Sequence, residues 1–264
     1  MSDRYALVGN PVAHSRSPRI HAEFARATGQ DLDYGLIEAP LDGFAQAVER
    51  FRAAGGKGLN VTLPFKQQAF AFCKRVSDRA RLAGVANTLV LDDGFGDNTD
   101  GIGLVRDLAA NLQVELKDKS ILLLGAGGAA QGVIGALLGA GTARLVIANR
   151  TVSKAQALAA RFAGARACSY GALGGESFDL VINATSAGLT DQAPPLPGKV
   201  LGKGVLAYDM VYGRETPFLA AARKAGARVS DGLGMLVEQA AESFFLWRGV
   251  RPATRPVLAS LRGA

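Results

Sequence analysis

Short apolar runs alternate along this chain with helix-like stretches. Near its middle one run, Ile121 to Leu124, breaks into the glycine-rich turn Gly125-Ala126-Gly127-Gly128 before a helical stretch resumes. These two observations predict an α/β protein. The N-terminal part reads as an α/β domain on a mainly parallel sheet, and the remainder as a Rossmann-type, doubly wound domain. With 264 residues, 48% of them hydrophobic, the chain is long enough for two compact domains or one large one.

The first elements follow in order. Tyr5 to Gly9 reads as a strand, and Asn10 to Ser17 as the loop after it. Ser17 before Pro18 is the pattern of an N-cap and first helical residue, with Gly29 as the stop, and this alone accounts for Ser17. It does not account for Ser15: two hydroxyls one residue apart at a strand-to-helix turn can together bind a carboxylate. Asp33 to Glu38 is a second strand. Leu41 to Ala54 is a helix with Phe44, Ala47, Val48 and Phe51 on one face, closed by Gly55-Gly56. A third strand, Gly58 to Thr62, leads into Pro64-Phe65-Lys66, and the alternation implies a parallel sheet. Ligands of such sheets gather at the carboxyl ends of strands, where Asn60, Thr62 and Lys66 fall. A second polar cluster, Ala86-Asn87-Thr88, precedes the strand Leu89 to Leu91, an Asp93-Gly94 turn and Asp97-Asn98-Thr99-Asp100. Asp100 reads either as the cap of a helix over Gly101 to Leu112 or as the partner of Lys66, a carboxylate that orients an ammonium for proton transfer.

In the second half, strands near Ile121, Leu145, Ala165, Leu180, Val205 and Ala227 make six, the count of a complete nucleotide-binding sheet. The turn after the first is a phosphate cradle. Gly125 permits the tight turn, Gly127 lets backbone approach a pyrophosphate, and small Ala130 lets helix pack on strand. Where an NAD-binding protein places an acid at the end of the second strand, this chain has Asn149, Arg150 and Thr151, with Lys154 one turn on. Two cations and a hydroxyl suit a 2'-phosphate, which points to NADP. Asn183-Ala184-Thr185-Ser186-Ala187-Gly188 suits the lining of a dinucleotide cleft. Met210 offers a surface to a flat ring and Tyr212 a donor, with core packing and surface exposure as the plainer accounts. Gly232 to Met235 opens a helix through Trp247 that carries Gln239.

Several classes are excluded. Ile121 to Gly141 holds no charged residue, with glycines at small-xxx-small spacing, but a glycine break after four strongly apolar residues fits strand plus turn rather than a membrane helix. The net charge of +7 is scattered in ones and twos without interleaved aromatics, which argues against nucleic acid and suits anionic small molecules. Two histidines, His14 and His21, and two distant cysteines, Cys73 and Cys168, have no metal-ligand spacing, so no metal and no disulfide is expected. Buried free thiols and the early charge of MSDRYALVGN lead us to expect a cytoplasmic protein.

Nine clusters together resemble the shikimate dehydrogenase family: GNPVAHSRSP at Gly9 to Pro18, NVTLPFK at Asn60 to Lys66, ANT at Ala86 to Thr88, DNTDG at Asp97 to Gly101, GAGGAA at Gly125 to Ala130, NRT at Asn149 to Thr151, NATSAG at Asn183 to Gly188, DMVY at Asp209 to Tyr212 and GMLVEQA at Gly234 to Ala240. The resemblance implies a reversible, NADPH-dependent reduction of 3-dehydroshikimate to shikimate, in the chorismate route to aromatic amino acids. It implies a substrate-binding catalytic domain over residues 1–103, completed by C-terminal helices over 237–264, and an NADP-binding domain over 104–236. Lys66 and Asp100 would be catalytic, and Ser15, Ser17, Thr62, Lys66, Asn87, Asp100, Tyr212 and Gln239 would contact shikimate. Cofactor contacts would be Gly125, Ala126, Gly127, Gly128, Ala129, Ala130, Asn149, Arg150, Thr151, Lys154, Met210 and Gly232, with Asp78 in addition. Lys154 departs from the arginine that related enzymes often carry, which keeps the charge but loses the two-pronged grip. The implied partners are the small molecules shikimate and 3-dehydroshikimate, neither nucleic acid nor membrane, with a homodimer among the assemblies left open.

Three alternatives stay open at this point. Within the family the substrate could be quinate with NAD, on which Ser15, Thr99 and the Arg150 loop bear. A different NADP-linked reductase would lack the paired serines and the Lys66/Asp100 pair. A regulatory protein that senses NADP without turnover would have no use for that pair.

Overall fold

A computed structural model describes residues 2–185 and 192–263. The chain divides into two compact units, Met1–Arg106 with Leu236–Ala264, and Asp107–Met235.

In the first unit β1 (Asp3–Gly9), β2 (Leu32–Glu38), β3 (Gly56–Val61), β4 (Arg75–Val76), β5 (Thr88–Val90) and β6 (Phe95–Asp97) form one sheet. Their order is β2-β1-β3-β5-β6-β4. β1 pairs in parallel with β2 and β3, as strand-helix-strand connections require. Beyond β3 the sheet departs from the parallel expectation: β5 runs antiparallel to both β3 and β6. Only Leu91 to Gly94 connect β5 to β6, too short for a crossover, so a hairpin is the available solution. Parallel junctions remain the majority because β4 pairs in parallel with β6.

The helices of this unit are α1 (Ser17–Thr28), α2 (Phe44–Ala53), α3 (Lys66–Phe72), α4 (Asp78–Ala83), α5 (Asp100–Arg106), the later part of α9 (Leu233–Arg248) and α10 (Thr254–Arg262). The start of α1 corrects the sequence reading. Arg16, not Ser17, takes the cap position, no side chain caps the helix, and Ser17 is its first helical residue. Gly29 ends α1 at φ 65°. Gly56, expected to help close α2, instead begins β3, where a β-carbon would collide with the Phe51 ring. Ala6, Val8, Phe44, Val48, Leu59, Val61, Phe65 and Leu89 make the core on one face of the sheet. Burial of this kind is worth roughly 1.5–3 kcal/mol for each large side chain.

The second unit is doubly wound. β7 (Ser120–Leu124), β8 (Arg144–Ala148), β9 (Ala165–Cys168), β10 (Leu180–Asn183), β11 (Leu206–Asp209) and β12 (Arg228–Ser230) lie in the order β12-β11-β10-β7-β8-β9, all parallel. Ile121 to Leu124 and Leu145 to Ala148 are fully buried, as central strands covered on both faces must be. α6 (Gly128–Gly139), α7 (Val152–Ala159) and α8 (Pro217–Lys224) complete the unit. The helix expected from Gly101 to Leu112 is α-helical only to Arg106, and Asp107–Asn111 widens into a π turn. There the Asp107 carboxylate accepts from the Tyr208 hydroxyl at 2.7 Å and from Asn111 Nδ2 at 2.9 Å. A β-carbon on Gly234 would stand 1.9 Å from Asp107 Oδ1, so this glycine is required by close approach.

Both cysteines are free; Cys168 is buried, but Cys73 is only half-buried, contrary to expectation. Among the described residues no helix is long and apolar enough to cross a membrane, and no group of three or more His, Cys, Asp and Glu could hold a metal ion.

Candidate active site

The strongest concentration of chemistry in the first unit lies where β3 and β6 end. Phe65 is fully buried against Phe44, with ring centroids 5.3 Å apart, and this anchors the start of α3 and with it Lys66. Asp100 begins α5. Lys66 Nζ donates to Asp100 Oδ2 at 2.5 Å, with only 12% and 7% of the two side chains exposed. A pair this buried excludes most competing water and holds its geometry. The other oxygen, Oδ1, accepts from Asn87 Nδ2 at 2.9 Å. Asn87 is held in turn: its Oδ1 accepts from the Thr99 backbone at 2.8 Å, and its Nδ2 also reaches Thr99 Oγ1 at 2.9 Å and Gln239 Oε1 at 3.2 Å. Lys66, Asn87, Asp100 and Gln239, four of the residues singled out from sequence, thus form one bonded cluster.

Ser15 and Ser17 sit in the loop after β1 and at the first turn of α1. Their hydroxyls are 3.1 Å apart, and the Ser17 N–H donates to Ser15 Oγ at 3.2 Å. Both are hydroxyls whose O–H can turn to donate to a carboxylate. The loops that carry these serines and Thr62 leave the same end of the sheet and are tied together, Asn10 N–H donating to the Leu63 carbonyl at 3.0 Å. Thr62 is half-buried there. Tyr212 belongs to the second unit, as do all the expected cofactor contacts except Asp78, which is exposed at the start of α4 in the first.

The sequence reading noted Asn60 and Thr88 but passed over Ser243 and Tyr34, which join them in a layer beneath this cluster. Ser243 Oγ lies 2.7 Å from Thr88 Oγ1 and accepts from Asn60 Nδ2 at 2.9 Å, while Asn60 Oδ1 accepts from the Tyr34 hydroxyl at 2.8 Å. Tyr34 stacks on His21 with centroids 4.1 Å apart. His21 is fully buried among Phe24, Tyr34, Phe244 and Trp247, and neither ring nitrogen makes a hydrogen bond. Burial lowers its pKa to about 3, opposed only by nearby Asn60, so the imidazole is neutral. Ser243 stands four residues past Gln239 on α9, a helical spacing that is its only sequence signal.

In the second unit the turn between β7 and α6 is built as a cradle. Gly125 has φ 107°, and a β-carbon there would meet the Ala184 carbonyl at 3.1 Å. Gly127, at the cap of α6, faces open space within 4 Å of where a β-carbon would be, and Ala130 is fully buried against the sheet. Ala126, Gly128 and Ala129 complete the turn and the first residues of α6, whose N–H groups present a positive end. At the end of β8, Asn149 Nδ2 donates to the Thr151 carbonyl at 2.9 Å, which shapes the bend. Arg150, Thr151 and Lys154 are all exposed, and the Thr151 side chain does not cap α7. These residues fit a dinucleotide carrying a 2'-phosphate. Gly232 packs so close to the Met210 carbonyl that a β-carbon would lie 2.3 Å from it. Buried Asp209 fixes the turn that presents Met210 and Tyr212, accepting from Val211 N–H at 3.0 Å, Thr216 Oγ1 at 2.6 Å and Asn183 Nδ2 at 3.1 Å. Burial raises its pKa against those bonds. Ser186, Ala187 and Gly188 lie outside the described residues.

Comparison with known proteins now bears on this geometry. Family models for the shikimate dehydrogenase substrate binding domain, shikimate/quinate 5-dehydrogenase and the shikimate 5'-dehydrogenase C-terminal domain match residues 7–89, 107–190 and 232–262. A shikimate dehydrogenase (NADP(+)) of Aromatoleum aromaticum is 60% identical over 98% of this chain and 97% of its own. The chain belongs to the shikimate dehydrogenase family. The same name is borne by a Dechloromonas aromatica relative, 58% identical over 99% of this chain and 98% of its own. The shikimate 5-dehydrogenase of Thermus thermophilus, solved with NADP(H) and shikimate, is 38% identical with TM-score 0.89 over 98% of each chain. A 5-ketofructose reductase of Gluconobacter superposes with TM-score 0.84 at 30% identity over 100% of this chain and 99% of its own. The architecture of the shikimate dehydrogenase family is therefore shared by a reductase named for a different ketone, and substrate choice has to be argued from side chains.

Proposed function

We propose that this protein catalyses the reversible, NADPH-dependent reduction of 3-dehydroshikimate to shikimate, a step of chorismate biosynthesis, in the cytoplasm. The observation that carries this reading is the nearly buried Lys66–Asp100 pair, within a cluster that also presents amide and hydroxyl groups. Residues 1–103 with 237–264 form the substrate-binding catalytic domain, and residues 104–236 the NADP-binding domain.

The bound dinucleotide supplies the hydride for the ring carbonyl carbon. Lys66 donates a proton to the carbonyl oxygen, and in the reverse direction accepts the hydroxyl proton. Asp100 accepts from Lys66 Nζ, fixing where the ammonium points, and accepts from the substrate hydroxyl. Asn87 holds Asp100 and, with Thr62 and Gln239, bonds the ring hydroxyls. Ser15 and Ser17 bind the substrate carboxylate, with Tyr212 as a further donor. In the second domain the Gly125 to Ala130 turn receives the pyrophosphate. Arg150, Thr151 and Lys154 receive the 2'-phosphate, with Asn149, Met210, Gly232 and Asp78 as the remaining cofactor contacts.

Initial rates at the reduced-nicotinamide absorbance, with shikimate or quinate against NADP or NAD in all four combinations, test the proposal. Preference for shikimate and NADP is expected. Preference for quinate or NAD would keep the proton-transfer pair and overturn the specificity reading, and no turnover in any combination would overturn the enzyme reading altogether.

A further inference from the structure

A second charged cluster lies beside the reacting pair and takes no part in the reaction as described. Asp97, the last residue of β6, is a carboxylate only 2% exposed. It accepts from Arg79 Nε at 2.7 Å and from Arg79 Nη2 at 2.5 Å, a two-pronged pairing, and also from the Ser77 hydroxyl and the Asn98 N–H. The same Nη2 donates to Glu242 Oε1 at 3.0 Å. Glu242 is buried too, and its second oxygen accepts from Arg106 at 2.6 Å and Arg251 at 2.7 Å.

The two carboxylates stand in particular places. Asp97 leads directly into Asn98, Thr99 and Asp100. Glu242 lies on α9 three residues past Gln239 and one before Ser243, and both of those side chains bond into the Asn87 and Thr88 layer. Arg79 is the charged side chain that joins the Asp97 carboxylate before Asp100 to the Glu242 carboxylate on the helix presenting Gln239, beside the lighter Thr99 contacts to Gln239 and Ser243.

We propose that Arg79 is a positioning residue for the reaction: by gripping Asp97 with two bonds and Glu242 with a third, it sets where Asp100 stands against Lys66 and where Gln239 stands against Asn87. This rests on the reading of Lys66 and Asp100 as the proton-transfer pair. Without Arg79, Asp97 keeps only a hydroxyl and one N–H for a buried charge, and the turn relaxes toward water. Asp100 is three residues along that turn and moves with it. Reacting groups lose rate steeply on small displacements, whereas binding spread over several hydroxyl and carboxylate contacts loses little. Lysine at this position retains the charge but cannot make the planar two-pronged bond.

The test uses the full chain, with kcat and KM for shikimate measured at saturating NADP for the unsubstituted protein, Lys66→Ala, Arg79→Ala and Arg79→Lys. Arg79→Ala is expected to lose about tenfold to a hundredfold in kcat while KM changes less than about threefold. Arg79→Lys should fall between it and the unsubstituted protein. Millimolar guanidinium should return part of the lost kcat to Arg79→Ala and none to Lys66→Ala. If kcat stays within about twofold in both Arg79 variants, or falls without guanidinium recovery in step with KM, the positioning role is overturned. If Arg79→Ala does not fold, Arg79→Lys decides alone: a kcat loss at unchanged KM and unchanged Trp247 fluorescence supports the role, and unchanged kcat overturns it. Full turnover in Lys66→Ala would instead overturn the reading of the pair, a result separate from any outcome at Arg79.

Discussion

The two units solve opposite problems with charge. In the first, Lys66, Asp100, Asp97 and Glu242 are largely buried and held in ion pairs by the fold itself. In the second, Arg150 and Lys154 stand exposed at the end of β8 and one turn into α7. A buried charge must be paired where it sits or it destabilises the fold, so the first unit's geometry is set by folding. An exposed cation carries no such requirement and keeps its water until an anion replaces it. Proton transfer needs atoms held in register, while recognition of a phosphate dianion needs charge within reach. The contrast teaches that the first unit should fail sharply when one group is removed, and the second gradually.

The largest expected effect tests the sharp side. Lys66→Ala should lower kcat by about a hundredfold to ten-thousandfold, the range of a lost acid-base group, with little change in KM for shikimate. NADP affinity, measured by quenching or calorimetry, should be unaltered because Lys66 belongs to the other unit. Undiminished turnover would remove the lysine from the chemistry, and a matching loss of NADP affinity would break the division of labour between the units.

Next comes acid stability, where the units should diverge again. The folded His21 pKa of about 3 lies below the ordinary 6.5, so the unfolded chain binds more protons between those values. The contribution is fully present above pH 6.5 and is lost as pH falls toward 3, amounting to roughly 5 kcal/mol over the full window. Glu242, held down at about 2 against its burial by Arg106, Arg251 and Arg79, adds a loss in the same direction between its ordinary 4.5 and 2. Asp209, raised by burial in the second unit, works oppositely: its contribution is present at low pH and lost as pH rises through its folded pKa. Trp247 is the sole tryptophan and contacts His21, so its fluorescence reports the first unit. Urea midpoints followed by Trp247 should drop steeply from pH 7 to 4, and His21→Phe should flatten that drop. A midpoint independent of pH in this range would show that His21 is not buried neutral.

How much of this was legible in the sequence follows the same division. The central strands of the second unit are continuous apolar runs, and the six-strand count anticipated a sheet that proves to have the doubly wound order. Local chemistry was enough because every connection there is a long crossover. In the first unit the Asp93-Gly94 turn was legible but the antiparallel pairing of β5 with β3 and β6 was not, because a turn does not name its partner strand; the sheet remains mainly parallel. Two-residue β4 and six-residue α4 carry too few residues for any periodicity. Among site residues, Lys66, Asn87 and Asp100 stood out because polar residues cluster where such sheets gather ligands and because their motifs resemble the family's, and the structure brings them together. Ser243, Arg79 and Glu242 did not, because a serine in a helix and an arginine near an acid look like solvated surface. Only the fold reveals that their partners are buried and 163 residues distant, as Arg79 and Glu242 are.

The gradual side is tested first at Arg150. Arg150→Ala removes one charge-assisted contact of about 1.5–3 kcal/mol, so KM for NADP should rise roughly tenfold to a hundredfold. KM for NAD, which has no 2'-phosphate, should change little, and stability should not change because the side chain is exposed. An equal loss for both dinucleotides would mean that Arg150 shapes the bend rather than reading the phosphate.

The smallest effect is the most discriminating for the exposed side. Lys154 and an arginine carry the same charge, so Lys154→Arg leaves the electrostatic attraction in place and changes only geometry, adding a planar fork that can bond a phosphate twice. If recognition here is a matter of charge within reach, the gain in KM for NADP should be modest, about twofold to fivefold, and should persist in added salt because screening weakens two equal charges alike. A gain of about a hundredfold would mean that the 2'-phosphate site demands the same fixed geometry as the Lys66–Asp100 pair, and the contrast between the units would reduce to burial alone. Lys154 is exposed, whereas Lys66 is nearly buried and paired with Asp100. The small gain is the outcome that this difference in anchoring requires.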